Sequence, residues 1–170
     1  MNAVEALRAG LAVILPTDTV YGLCALPGHE EVLYELKGRD RSKPVALLAA
    51  DVDTLFAAVP GLDRTLLVRY LPGPYTLVVA TAGETVGVRV PNLPPAAAEV
   101  VHEVGVVAAT SANVSGGPDA RTVDDIPSSI RERVGAIVDA GELPGVPSTV
   151  LDLTGDEPRV LRSGAGAGPS

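Results

Sequence analysis

Lys37, Arg39, Arg41 and Lys43 stand at every second position of the stretch KGRDRSKP. In an extended segment these side chains point the same way. They would then form a row of cations about 6.6 Å apart at a strand-like rise. Adjacent charges at that spacing repel by about 0.6 kcal/mol in bulk water and by about 2.5 kcal/mol at an effective dielectric of 20. Such a row either stays in water as a solvated basic loop or meets a polyanion. The chain as a whole carries net charge -8, yet 4 of its 13 lysines and arginines lie here.

Other stretches add to this set. PTDTVYGL (16–23) places Thr17, Asp18 and Thr19 after Pro16, and LAVIL (11–15) before it reads as a buried strand. Small hydroxyls and a carboxylate at the carboxyl end of a strand suit the ligand crevice of an open α/β sheet; they suit an Asx or Ser/Thr turn equally well. SANVSGG (111–117) sets Ser111, Asn113 and Ser115 ahead of Gly116-Gly117. That pattern can bring backbone N–H groups close to a phosphate, although it is neither a Walker A loop nor GxGxxG. Arg89 is a lone guanidinium in the apolar run TVGVRV. It needs a paired anion if buried, or it faces water at an edge. Arg162 is a second isolated cation near a strand end. Together these groups could neutralise a triphosphate and hold a small polar substrate beside it. No Ser–His–Asp spacing and no glycosidase-like pair of carboxylates is visible. The implied chemistry is positioning and electrostatics, as phosphoryl-type transfer requires.

The elements that must position these residues follow from periodicity and punctuation. Residues 2–9 read as a helix closed by Gly10, and HEEVLYELK (29–37) as a helix with acids in its first turn. VALLAA (45–50) reads as a second buried strand. Pro44 pushes Lys43 toward an extended conformation. Asp51 caps a helix to about residue 59, and residues 62–71 form another, stopped by Pro72-Gly73-Pro74. YTLVVA (75–80) and TVGVRV (85–90) form a hairpin around Gly83. Residues 95–104 are a helix with Pro at its start and Gly105 after its end. Residues 106–110 are a strand, 122–134 are helical with a break or start at Pro127, and 136–140 are a strand. STVLDLT (148–154) pairs with RVLRS (159–163).

At 170 residues the chain suits one domain. Apolar residues are 46% and aromatics 3%, so the core is built from Val, Leu, Ile and Ala. The pI near 4.7 argues against binding nucleic acid through bulk charge, while a local basic groove remains open. Cys24 is the single cysteine, which rules out an intrachain disulfide and a CxxC knuckle. His102 finds no metal partner in the pattern. No signal-like segment opens the chain and no apolar run approaches 18 residues, so the simplest reading is a soluble cytoplasmic protein without membrane contact.

PTDTVYGL, KGRDRSKP, LPGPYTLVV, VGVRVP, TSANVSG, PSTVLDL and VLRSG occur in this order. They resemble the motifs of the YrdC/TsaC-type L-threonylcarbamoyladenylate synthases over roughly residues 4–164. The family's KxR…SxN signature stands as Lys37, Arg39, Ser111 and Asn113. The resemblance implies an α/β fold: a single-domain twisted mixed sheet, flanked by helices, around a concave cavity. That domain would span residues 1–163, with 164–170 as a flexible Gly/Ala/Pro tail. It implies an enzyme that makes threonylcarbamoyl-AMP and pyrophosphate from L-threonine, bicarbonate and ATP, with Mg2+ assisting. A downstream threonylcarbamoyl transferase complex would use the product to modify the adenosine beside the anticodon of some tRNAs, and a transient tRNA contact is also implied. By the same resemblance Thr19, Arg89 and Ser148 contact threonine. Arg39, Lys43, Thr85, Ser111 and Arg162 hold ATP, and Lys37 assists at the phosphates. Lys37, Arg39, Ser111 and Asn113 form the catalytic set, Tyr21 and Asn113 shape the cavity, and no residue is assigned to a metal. Some relatives have a histidine where Leu48 stands, so that contact is absent. Longer relatives carry a further C-terminal domain, whose contribution is dispensable here or comes from another chain. The rival readings are an RNA-binding module without catalysis, a carbamoyl-transfer YrdC-like domain, and an idle nucleotide binder.

Overall fold

The computed structural model describes residues 1–169. Nine strands form one mixed sheet in the order β7-β1-β2-β6-β3-β5-β4-β8-β9. In chain order they are β1 (Val13–Pro16), β2 (Tyr21–Ala25), β3 (Ala46–Ala49), β4 (Tyr75–Thr81), β5 (Glu84–Arg89), β6 (Val106–Ser111), β7 (Ala136–Ile137), β8 (Thr149–Asp152) and β9 (Arg159–Arg162). The helices are α1 (Ala3–Arg8), α2 (Glu31–Lys37), α3 (Val52–Ala58), α4 (Arg64–Leu67), α5 (Pro95–Val104) and α6 (Ser128–Arg131). β1 pairs antiparallel with β2, and β2 and β3 both pair antiparallel with β6. β3–β5 and β4–β8 are parallel, β4–β5 is the antiparallel hairpin, and β8–β9 is antiparallel. The single α/β domain, its mixed sheet and its helical flanks are as the sequence implied.

Three apolar clusters hold the sheet. Leu23, Leu33, Leu36 and Ile130 join α2 and α6 to one side of β1, β2 and β6. Leu7, Val13, Leu15, Ala97, Val101 and Val107 join α1 and α5 to the other side. Leu55, Leu67, Leu77, Val88 and Leu151 pack α3 and α4 on β3, β4, β5 and β8. Each valine, leucine or isoleucine removed from water in this way contributes about 1.5–3 kcal/mol.

Four local expectations are corrected. The cation row is not extended, because Gly38 closes α2 in the left-handed region and Arg39 N–H reaches back to Tyr34 O. Asp40 then folds the chain into a turn, its Oδ1 accepting from Ser42 N–H and its carbonyl from Lys43 N–H. Glycine and aspartate between the cations are turn-formers, and they outweigh the alternation. The helix over 62–71 shrinks to α4, which starts where Asp63 accepts from Leu66 N–H and gives way to turns before Pro72. The helix over 122–134 splits at Pro127 into a 3-10 turn (Val123–Asp125) and α6. The strand over 136–140 keeps its first two residues only, because residues 139–141 are bound to a side chain described below. Within the 164–170 stretch expected as a flexible tail, residues 164–167 hydrogen-bond to β4, β8 and the segment before β8, and Ser170 lies outside the described residues. Gly164 and Ala165 N–H donate to Thr149 Oγ1 and Pro147 O, Thr149 Oγ1 donates to Gly166 O, and Tyr75 Oη donates to Ala167 O.

Candidate active site

Strand alternation builds one wall of a cavity. Thr76 and Val78 on β4, Thr85, Gly87 and Arg89 on β5, and Val150 on β8 fall on one face of the sheet. All six line a cavity of about 280 Å³. The intervening Leu77, Val79, Val88 and Leu151 point the other way, into the core under α3 and α4. Ends of elements supply the remaining walls: the 19–22 segment, Arg39, Ser111 at the end of β6, Asp119, Ser148 and Arg162. Gly87 keeps the floor low. A Cβ there would meet Ala46 Cβ at 3.6 Å and Thr76 Cγ2 at 3.7 Å, ordinary contacts. The room above Gly87 exists because no side chain occupies it.

The lining is cationic in an acidic chain: three arginines and one carboxylate, Asp119. Arg89 is the most constrained of them, its side chain only 12% exposed. Its nearest anion is Asp18, with Nη2 4.0 Å from Oδ1, beyond hydrogen-bond reach. Arg89 Nε and Nη2 and Asp18 Oδ1 are buried without a hydrogen-bond partner among the described residues. The second oxygen of Asp18 accepts from Asn92 N–H at 3.0 Å, which holds the carboxylate beside the guanidinium. Burial presses the Arg89 pKa down, Asp18 and Cys24 oppose this, and the cation of Arg162 adds to it. A buried guanidinium with two donors unpaired is costly unless an anion reaches it.

Arg162 Nε and Nη2 donate to Ser148 O at 3.1 and 2.8 Å, and Nη2 also reaches Ser148 Oγ at 3.0 Å. Ser148 Oγ lies 2.8 Å from Thr76 Oγ1. Arg39 curls around its own loop, Nε to Lys43 O at 3.0 Å and Nη2 to Pro44 O at 3.3 Å. Thr19 is buried, its Oγ1 3.0 Å from Thr17 Oγ1. These contacts are local turn chemistry, and they also fix the hydroxyl at the cavity wall.

Lys37 and Asn113 lie behind the wall. Lys37 is 4% exposed, and its Nζ donates to Ser111 O (2.7 Å), Asn113 O (2.9 Å) and Asn113 Oδ1 (2.6 Å), with Ser111 Oγ at 3.3 Å. An ammonium has three protons to donate, so the protein itself saturates this one. Burial and then the cation of Arg39 lower its pKa to about 8, with Asp119 opposing. Asn113 Oδ1 also accepts from Ser111 Oγ at 2.7 Å, and Asn113 Nδ2 donates to Gly117 O. Lys37 therefore ties the last turn of α2 to the end of β6 and fixes the Ser111 hydroxyl at the rim.

The structure thus gathers Thr19, Tyr21, Arg39, Thr85, Arg89, Ser111, Ser148 and Arg162 around one cavity, with Lys37 and Asn113 behind Ser111. Lys43 is exposed, does not line the cavity, and offers Arg39 its carbonyl. Arg41 points away to Glu31. Tyr21 directs its hydroxyl to Gly141 O at 2.7 Å and Asp139 Oδ1 at 3.2 Å, and accepts from Ala140 N–H. Its phenol anchors the 139–141 segment, and burial, the largest influence, raises its pKa. Sequence reasoning missed Thr76, Gly87 and Asp119. The first two were readable, since they alternate with core residues along the hairpin. Asp119 follows the Gly116-Gly117 loop, where no periodicity marks a direction.

A family model described as Telomere recombination, covering Sua5, YciO and YrdC proteins, matches residues 5–164. A Mycobacterium tuberculosis protein named provisionally as a threonylcarbamoyl-AMP synthase is 37% identical, over 96% of this chain and 83% of its own. The threonylcarbamoyl-AMP synthase of Bacillus subtilis is 36% identical, over 96% of this chain and 52% of its own. The crystal structure of P. abyssi Sua5 complexed with L-threonine superposes with a TM-score of 0.85 at 33% identity, covering 95% of this chain and 53% of that one. This chain spans about half the length of the last two. No helix among the described residues is long and apolar enough to cross a membrane.

Proposed function

The chain belongs to the Sua5/YciO/YrdC family, and from that premise we propose that it is an L-threonylcarbamoyladenylate synthase. It takes L-threonine, bicarbonate and ATP to threonylcarbamoyl-AMP and pyrophosphate. The observation that carries the reading is Arg89: a guanidinium on the cavity wall, its side chain 12% exposed, whose nearest carboxylate stands 4.0 Å off. A group of that kind calls for a small carboxylate inside the hollow, and an amino acid supplies one. The likeness to the threonine-bound P. abyssi structure supports the same assignment.

In this reading Arg89 takes the threonine carboxylate, with Thr19 and Ser148 beside it. Arg39, Thr85, Ser111 and Arg162 hold ATP, and Lys37 and Asn113 keep Ser111 in register. Lys43 contributes through its carbonyl to the shape of the Arg39 loop. The threonine amine adds to carbon dioxide formed from bicarbonate, losing a proton and giving a carbamate. A carbamate oxygen attacks the α-phosphorus, the bond to the bridging oxygen breaks, and pyrophosphate leaves with the electron pair. No protein atom becomes covalent. The cations lower the barrier by meeting charge that spreads over the phosphates. Magnesium fits the donor set modestly: Asp119 is the one carboxylate on the wall among the described residues, and magnesium commonly rests on one or two carboxylates plus substrate phosphates. Asp119 would hold that ion, which neutralises the departing pyrophosphate when bound. The product passes to a separate transferase acting on tRNA.

The test is pyrophosphate release from ATP with threonine and bicarbonate each omitted in turn, and serine as control amino acid. Release that depends on both and is weaker with serine supports the reading. Release indifferent to threonine removes it. RNA affinity that falls steeply with salt, without such release, would favour the RNA-binding alternative.

A further inference from the structure

Thr76 stands beside Arg89. Leu77 of β4 pairs with Val88 of β5, so their neighbours Thr76 and Arg89 lie together on the opposite, cavity-facing side. The Thr76 hydroxyl is 2.8 Å from Ser148 Oγ, and Ser148 Oγ is 3.0 Å from Arg162 Nη2. The direction of this chain follows from donor inventory. A guanidinium cannot accept, so Ser148 Oγ accepts from Arg162. The two hydroxyls have two protons between them, and their mutual bond uses one. The second is left to donate, from Thr76 if Ser148 is the donor of the pair, or from Ser148 if Thr76 is. Ser148 is 4% exposed and Thr76 is half-buried, and both line the cavity. Arg89 lines the same wall, its side chain 12% exposed and its Nε and Nη2 without hydrogen-bond partners among the described residues. This corner therefore carries a guanidinium and one hydroxyl proton left free to donate, and a carboxylate is a group that takes both.

We infer that Thr76 is a further substrate-binding residue, whose hydroxyl, paired with Ser148, completes with Arg89 a two-sided grip on the carboxylate of the amino-acid substrate. The inference rests on the reading above and adds a residue to it. It also joins the amino-acid corner to Arg162 through shared hydrogens, so that the threonine subsite and a nucleotide-side cation are held by one chain of groups.

Thr76→Val keeps the branched shape and removes the hydroxyl; Thr76→Ser keeps the hydroxyl and removes the methyl. Threonine-dependent pyrophosphate release is measured for both, with KM for threonine and for ATP and kcat taken separately. The valine variant is expected to raise the threonine KM about tenfold, with kcat and the ATP KM within about twofold of the parent. The serine variant is expected to stay within about twofold throughout. A structural role would not divide the constants in this way. An unchanged threonine KM in the valine variant, a fall confined to kcat, or a serine variant as impaired as valine overturns the assignment. If Thr76→Val does not fold, Thr76→Cys, with a weak S–H donor, is read by the same division. A parent protein without threonine-dependent release defeats the synthase reading itself, and is told apart by the absence of any activity to perturb.

Discussion

Replacing Arg89 by Met should shift stability by no more than about 2 kcal/mol while abolishing the response to threonine. Arg89 Nε and Nη2 are buried without partners, and each such donor costs about 1–3 kcal/mol. Removing the guanidinium relieves about 2–6 kcal/mol on that count. Against this stands the attraction to Asp18, 4.0 Å away, which at an effective dielectric of 20 amounts to about 4 kcal/mol. Arg89→Met should therefore shift the unfolding free energy by no more than about 2 kcal/mol in either direction. Adding Asp18→Asn removes the carboxylate left behind while an amide oxygen can still accept from Asn92 N–H, and the double variant should be at least as stable as the single one, since it leaves no buried charge without its partner. Urea unfolding at pH 7, with and without L-threonine, reads both effects. Threonine at 100 times its Kd should stabilise the parent by about 2.7 kcal/mol and neither variant at all. A single variant destabilised by more than about 3 kcal/mol, or one that threonine still protects, would refute the view of Arg89 as a cation held ready for a substrate carboxylate.

Burial holds the Lys37 pKa at about 8 against 10.5 in the unfolded chain, so over that window the unfolded state binds the extra proton. Stability should rise from about pH 8 to 10.5 by roughly 3 kcal/mol, and urea unfolding of Lys37→Met should lack that slope. Turnover should fall above about pH 8 in the parent, because the neutral amine has one donor fewer for Ser111 O, Asn113 O and Asn113 Oδ1; a flat profile to pH 9.5 would contradict this. Gly87→Ala should fold with an unchanged or raised Tm, since its Cβ meets nothing closer than 3.6 Å, yet lower turnover because the methyl enters the cavity; fully retained activity would place the substrate elsewhere. Cys24 is buried and its thiol is pushed up to about 12, so Cys24→Ser should leave turnover within about twofold and the native thiol should resist Ellman's reagent.

The order of elements was legible along the chain because local rules decide it. Asn2 and Asp51 cap their helices as their types suggest, Gly105 ends α5, and the β4–β5 hairpin turns at Ala82-Gly83 with both residues at positive φ. The functional set was legible too, as cations, hydroxyls and glycines scattered through an acidic chain. What periodicity misjudged was the cation row. Alternation fits a strand, but Gly38 and Asp40 bend the chain locally, sending Lys37 inward, Arg39 to the cavity and Arg41 to solvent. Three cations at every second position thus acquire three different environments.

Which donors are free was decided by the fold alone. Nothing in the string distinguishes Lys37, saturated by a strand end 74 residues away, from Arg89, left with two nitrogens unpaired. Hydrogen bonds and desolvation act over a few ångströms of space, and only sheet pairing sets which distant residues come that close. Composition and order fixed the groups and their elements; the register of β4 on β5 and the reach of α2 to the end of β6 fixed which of those groups a ligand could still engage.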